Sequence, residues 1–142
     1  MIIVIADDLT GANDTGVQFE KFGLKTIVKV DYHNISKEDI LKYDAISINA
    51  DSRILDTESS YRRVFEIAKK FNNMDNKLIY KKTDSLLRGN PGSELEAVMD
   101  AIGADIALVA PSYPANGRVV KDGHSSLYED GNLFEESRFS IL

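Results

Sequence analysis

Short apolar runs alternate along the chain with longer stretches in which apolar residues recur at helical spacing. Residues 2–6 (IIVIA) are unbroken apolar sequence, the pattern of a strand covered on both faces. Over 13–22, Val17, Phe19 and Phe22 fit a helix closed by Gly23, with Asn13 or Asp14 as its cap. KTIVKV at 25–30 and DAISINA at 44–50 predict a second and a third strand. From about 57 to 71, Tyr61, Val64, Phe65, Ala68 and Phe71 form one stripe, with Thr57 as the expected N-cap. LIYKK at 78–82 predicts a strand. Residues 91–102 predict a helix with Pro91 near its first position and Leu95, Val98, Met99 and Ile102 on the apolar face. DIALVA at 105–110 predicts a further strand, and GHSSLYEDGNLF a hairpin turning at Asp130-Gly131.

Strands alternating with helices predict an α/β fold: a doubly wound, mainly parallel sheet with helices on both faces. The C-terminal hairpin would be a small extension. With 142 residues the chain is long enough for one domain, 1–142, and too short for two.

The carboxyl end of each predicted strand opens into polar sequence. Asp7, Asp8, Thr10, Gly11, Asn13 and Asp14 follow the first strand; Asp51, Ser52 and Arg53 follow the third. Thr83, Asp84, Ser85, Arg88, Gly89 and Asn90 follow LIYKK, and Ser112, Tyr113, Asn116, Gly117 and Arg118 follow DIALVA. Open parallel sheets bind ligands outside the carboxyl ends of their strands, so four such loops describe a site. Adjacent carboxylates at Asp7 and Asp8 repel unless a cation, a hydroxyl-rich ligand or backbone amides receive them. Strand alternation sends them to opposite sides, and it splits Lys81 from Lys82 in the same way. An arginine in a crevice, as at Arg53, presents a planar fork that fits a carboxylate.

Composition narrows the chemistry. A net charge of −6 disfavours a nucleic-acid or membrane-surface partner. The chain has no cysteine, which removes disulfides, thiolate metal sites and cysteine nucleophiles. His33 and His124 lie in expected loops without metal-ligand spacing, so no metal site is expected. The N-terminus lacks a basic leader and no apolar run is long enough to cross a bilayer, which points to a cytoplasmic protein. There is no G-x-x-x-x-G-K-[ST] loop, and Gly11-Ala12-Asn13-Asp14-Thr15-Gly16 lacks the dinucleotide spacing.

ADDLTGANDTG at 6–16, ADSR at 50–53, YKKTDSLLRGNPGSEL at 80–95 and APSYPANGR at 110–118 together resemble the N-terminal domain of the four-carbon acid sugar kinase family. The likeness runs from Ile2 to about Leu133, with Leu86-Leu87 and Pro91 as small departures. It implies an ATP-dependent kinase that phosphorylates the terminal hydroxyl of a four-carbon sugar acid of the threonate, erythronate or 2-oxo-tetronate type. This domain would hold the acid. ATP and Mg²⁺ would serve the full-length enzyme through a C-terminal nucleotide-binding domain of the same protein, absent from this chain, which would be inactive alone and bind neither. The resemblance places Arg53 and Lys82 at the carboxylate and Asp8, Asp84 and Ser85 at hydroxyls. Thr83, Arg88, Asn90 and Arg118 would complete the cleft, and Asp8 and Asp84 are the candidate catalytic bases.

Two rival readings remain. A freestanding small-acid-binding module without activity would keep the same site. A strand-end aspartate phosphatase would need D-x-D-x-T, where this chain has Asp7-Asp8-Leu9-Thr10. A homo-oligomer is compatible with exposure of the face that a second domain would cover.

Overall fold

A computed structural model describes residues 1–75, 77–121, 124–129 and 132–140. Strands β1 (Ile2–Ala6), β2 (Thr26–Lys29), β3 (Ala45–Asn49) and β4 (Leu78–Lys82) form a parallel sheet in the order β2-β3-β1-β4. Helices α1 (Leu9–Lys21), α2 (Lys37–Lys42), α3 (Thr57–Lys69) and α4 (Pro91–Ile102) connect and flank them. Beyond α4, β5 (Arg118–Lys121), β6 (His124–Glu129) and β7 (Asn132–Ser140) make a separate antiparallel sheet.

Two-residue alternation assigns the faces. Ile3, Ile5, Ile46 and Ile48 point to one side, where they pack with Val64, Ile67, Ala68 and Phe71 of the α3 segment and Ala97, Val98 and Ala101 of α4. Val4 and Ser47 are paired in register and point to the other side, where the Ser47 hydroxyl donates to the Ala12 carbonyl of α1 at 2.7 Å. The sheet therefore carries α1 on one face and α3 with α4 on the opposite face, as the doubly wound reading expects.

Chain direction reverses around β1: the connection through α1 leads away to the β2 edge, and the connection from β3 through α3 returns to β4 on β1's other side. The switch point, and with it the crevice, lies at the carboxyl ends of β1 and β4.

Several boundaries differ from the sequence pattern. Helix α1 begins at Leu9, so the whole TGANDTG stretch is helix, and Asp8 rather than Asn13 or Asp14 is its cap. Asp56 caps α3, with Thr57 as its first residue. The expected hairpin is present as the β6–β7 pair, with β5 added to it; the turn residues Asp130 and Gly131 lie outside the described residues.

The expected strand at 105–110 does not form. Ile106 and Leu108 are 87% and 94% exposed, and β4 has no outer neighbour among the described residues. A strand exists only within a ladder, and a run's apolar character does not provide a partner. Helix α1 packs on β1, β2 and β3 and reaches β4 only at its margin. Leu78 and Tyr80 on that side of β4 consequently stay exposed, and a strand added beyond them would be covered on one face alone.

The core predicts its own weak points. Ile5→Ala, at the fully buried centre of β1, should lower unfolding free energy in urea by about 2–5 kcal/mol. Phe22→Ala, at an exposed helix end, should change it by less than about 0.5 kcal/mol.

Candidate ligand-binding site

Three of the expected loops meet around the Arg53 guanidinium. Nε lies 2.7 Å from Asp7 Oδ2, Nη1 2.6 Å from Asp8 Oδ2 and Nη2 3.5 Å from Asp84 Oδ1. Each carboxylate stands at or just past a strand end: Asp7 and Asp8 after β1, Asp84 after β4, with Arg53 itself supplied by the loop after β3. Backbone bonds fix that loop, because the Asp7 carbonyl accepts from Ser52 N at 2.9 Å and Arg53 N at 3.2 Å.

The expected split of Asp7 and Asp8 to opposite sides does not hold: β1 ends at Ala6, strand alternation lapses beyond it, and both carboxylates turn to Arg53. Asp7 is buried, 3% exposed, and its Oδ1 has no hydrogen-bond partner among the described residues. Asp8 is more open. Its Oδ1 accepts from Gly11 N at 2.7 Å, capping α1, while its Oδ2 turns to Arg53. Gly11 permits that approach, since a Cβ there would lie 3.0 Å from Asp8 Oδ1 and 3.4 Å from Lys82 Cγ.

Asp84 organises the loop after β4. Its Oδ2 accepts from Leu86 N at 3.1 Å and Arg88 N at 3.3 Å, and the Arg88 side chain pairs with it in a fork at 2.7 and 2.9 Å. Burial alone would raise its pKa, but the Arg88 side chain and amide, Arg53 and the Leu86 amide outweigh burial and hold it at about 2. Burial would lower the Arg53 value, and the bond to Asp7 with the charges of Asp7, Asp8 and Asp84 raises it instead. The fork with Asp84 raises Arg88 also. Asp84, Arg53 and Arg88 therefore stay ionised near neutrality.

Lys81 and Lys82 separate as expected. Lys82, in register with Ala6, points to the α1 face beside Gly11, and its ammonium donates to the Thr83 carbonyl. Lys81, in register with Ile5, points to the α4 face and pairs with Glu94. Thr83 and Ser85 are half-buried beside Asp84.

Asn90 plays a structural part: its amide donates to the Leu55 carbonyl at 2.8 Å and its oxygen accepts from Thr57 Oγ1 at 3.1 Å, joining the starts of α3 and α4. Arg118 opens β5 in the second sheet, opposite Leu127, with its backbone bonded to Tyr113. Asp7 and Glu94 are additions to the expected set. Asp7 was marked by its pairing with Asp8; Glu94 falls inside the 80–95 motif, where an acidic side chain in the first turn of a helix gave no sign that it is buried.

What these groups can do follows from their inventory. Arg53 has five N–H groups and keeps one on each terminal nitrogen beyond its aspartate partners, while Lys82 adds a flexible cation. The Asp8 carboxylate retains lone pairs that accept from hydroxyls, whereas the Asp84 oxygens are already taken by the Leu86 and Arg88 amides, the Arg88 fork and Arg53. A crevice of this kind suits a small ligand bearing both a carboxylate and hydroxyls. The residues do not fit a magnesium–nucleotide site: Arg53 occupies the space among the three aspartates, and among the described residues no three His, Cys, Asp or Glu are grouped to hold a metal ion.

Fold and crevice define a small-molecule-binding α/β domain. The chain belongs to the sugar-binding N-terminal domain family, whose model matches residues 2–141. It is 40% identical over 124 residues to the D-erythronate kinase of Heliobacterium modesticaldum, covering 87% of this chain and 28% of that protein. It is 37% identical over 123 residues to the D-threonate kinase of Salmonella typhimurium, covering 86% of this chain and 28% of that protein. The chain thus spans under a third of the length of these relatives. A Bordetella bronchiseptica protein, crystallised with citrate as a domain-swapped dimer, superposes with a TM-score of 0.82 at 30% identity, over 92% of this chain and 33% of that one. No helix among the described residues is long and apolar enough to cross a membrane.

The depressed Asp84 value sets an acid limit. Asp84 would protonate near its ordinary value of 3.8 when unfolded but only near about 2 when folded. Its contribution to stability is therefore present above about pH 4 and lost as pH falls towards about 2. Asp39, held at about 2 chiefly by Lys29, loses its contribution over the same range. Thermal melts across that range should show a smaller drop for Asp84→Asn than for the unaltered chain, with the Asp39 part remaining.

Proposed function

We propose that this domain holds a four-carbon sugar acid at the β1–β4 switch point, as the substrate-binding part of an ATP-dependent kinase acting on the acid's terminal hydroxyl. The observation that carries the reading is Arg53, held by Asp7, Asp8 and Asp84 with N–H groups to spare and Lys82 and Arg88 nearby. Arg53 and Lys82 receive the ligand carboxylate. Asp8 and Ser85 take its hydroxyls, Asp84 holds Arg53 and Arg88 in place, Thr83 and Arg88 line the loop, Asn90 holds that loop in place, and Arg118 completes the cleft. The erythronate and threonate kinases among its relatives support the substrate class, and a neighbour crystallised with bound citrate is in keeping with a small acid ligand.

Phosphoryl transfer asks the protein mainly to position the attacking oxygen and neutralise charge. Held by its carboxylate, the acid would present its far hydroxyl at the open side of the crevice, with Asp8 as the proton acceptor; Asp84, its pKa held at about 2 and its oxygens occupied by Arg88 and Arg53, is too weak a base for that step. The nucleotide and Mg²⁺ belong to a C-terminal nucleotide-binding domain of the same protein, since this chain's residues do not fit them. A cytoplasmic location is part of the same proposal. A homo-oligomer is part of the reading, supported by the domain-swapped Bordetella neighbour.

Calorimetry tests the assignment. D-erythronate or D-threonate should bind the chain, and Mg-ATP alone should not. Arg53→Ala should weaken the acid by roughly ten- to a hundredfold, the loss expected of charge-assisted hydrogen bonds worth about 1.5–3 kcal/mol, with circular dichroism unchanged. Undiminished affinity in that variant would remove Arg53 from the site.

A further inference from the structure

Glu94 lies in the first turn of α4, 1% exposed, where an uncompensated carboxylate would be costly. Two side chains answer it. Lys81 Nζ, itself on a side chain only 4% exposed, lies 2.7 Å from Oε2, and the buried Ser52 hydroxyl donates to Oε1 at 2.6 Å. Lys81 also donates to the Lys82 carbonyl at 2.9 Å, at the end of β4.

As a source of stability such a pair is a weak device, because apolar side chains of similar volume serve about as well. What it provides is a junction. Lys81 belongs to β4, Glu94 to α4 and Ser52 to the loop after β3, so one buried carboxylate ties together the three segments bordering the crevice on the α4 side.

Ser52 is gripped twice, by Glu94 through its hydroxyl and by the Asp7 carbonyl through its N–H, and Arg53 follows it directly. Gly89 closes over the same residue. It has φ +86°, and a Cβ there would lie 3.3 Å from the Arg53 carbonyl oxygen and 3.4 Å from its Cα and Cγ.

We infer that Glu94 is a positioning residue: through Ser52 it fixes where the Arg53 guanidinium stands among Asp7, Asp8 and Asp84. Its importance for binding rests on the sugar-acid reading of the crevice, but its effect on Arg53 can be read without a ligand.

The test uses two variants. Ser52→Ala removes the Ser52–Glu94 bond and keeps the ion pair. Glu94→Leu combined with Lys81→Met removes the pair as a unit and leaves no buried charge. Nitrogen-edited NMR then follows the Arg53 Nε–H, which in the unaltered chain donates to Asp7 at 2.7 Å. In both variants this resonance should move and exchange with solvent should quicken by about tenfold or more, as expected when a charge-assisted hydrogen bond is loosened, while unfolding stays cooperative. D-erythronate binding should weaken in parallel.

An Arg53 signal unmoved and equally protected in Ser52→Ala would overturn the inference. Should the double variant fail to fold, Ser52→Ala decides alone. If the unaltered chain binds no sugar acid, the functional reading falls, and the Arg53 signal still settles the role of Glu94.

Discussion

A guanidinium surrounded by three carboxylates is the interaction on which the rest of the strand-end edge depends. Asp7, Asp8 and Asp84 come from two strand ends and converge in a partly buried crevice, where like charges are poorly screened. Arg53 converts that repulsion into a cross-link between three loops. Asp8 can then cap α1 with one oxygen while holding Arg53 with the other, and Asp84 can order the loop that carries Arg88. Without the arginine, each of those second roles would compete with the mutual repulsion of the carboxylates. The cluster keeps fixed positive and negative groups within reach of one small ligand, an arrangement suited to an acid that also bears hydroxyls.

The sheet's two-residue period distributes the remaining work. Neighbouring residues on β4 face opposite layers, so Lys82 sits by the α1 start and the ligand crevice, while Lys81 is sealed under α4 with Glu94. One lysine borders the crevice where the proposed ligand would sit, and the other braces the scaffold. Both sides meet at Asp51-Ser52-Arg53, whose serine is anchored on the buried side and whose arginine emerges into the crevice. A rigid layer below and a charged edge above is a common way of placing binding groups precisely enough to discriminate small polar ligands.

Much of this was legible in the residues alone. The continuous apolar run marked β1, strand-like runs marked β3 and β4, and Pro91 marked the start of α4, because local period and termini determine such elements. Polar clusters at strand ends located the crevice without any contact information. Helix α1 begins earlier than its apolar stripe because the cap at Asp8 depends on a loop geometry shared with Arg53. The run at 105–110 carried the local signature of a strand, yet pairing is a property of two segments, and the cover that α1 gives ends at β4. The burial of Glu94, though it sits within the 80–95 motif, was hidden for a related reason: an acidic residue in a first helical turn usually faces water, and only the tertiary placement of Lys81 and Ser52 makes it internal.

The most direct measurement is a D-erythronate titration of the isotopically labelled chain followed by two-dimensional NMR of backbone and arginine side-chain N–H groups. The account predicts that shifts concentrate at Asp7, Asp8, the Arg53 Nε–H and residues 82–88, with the α1–β2 edge at Val17 and Thr26 unmoved. Saturable shifts centred on that edge, with the Arg53 signal unchanged, would contradict it.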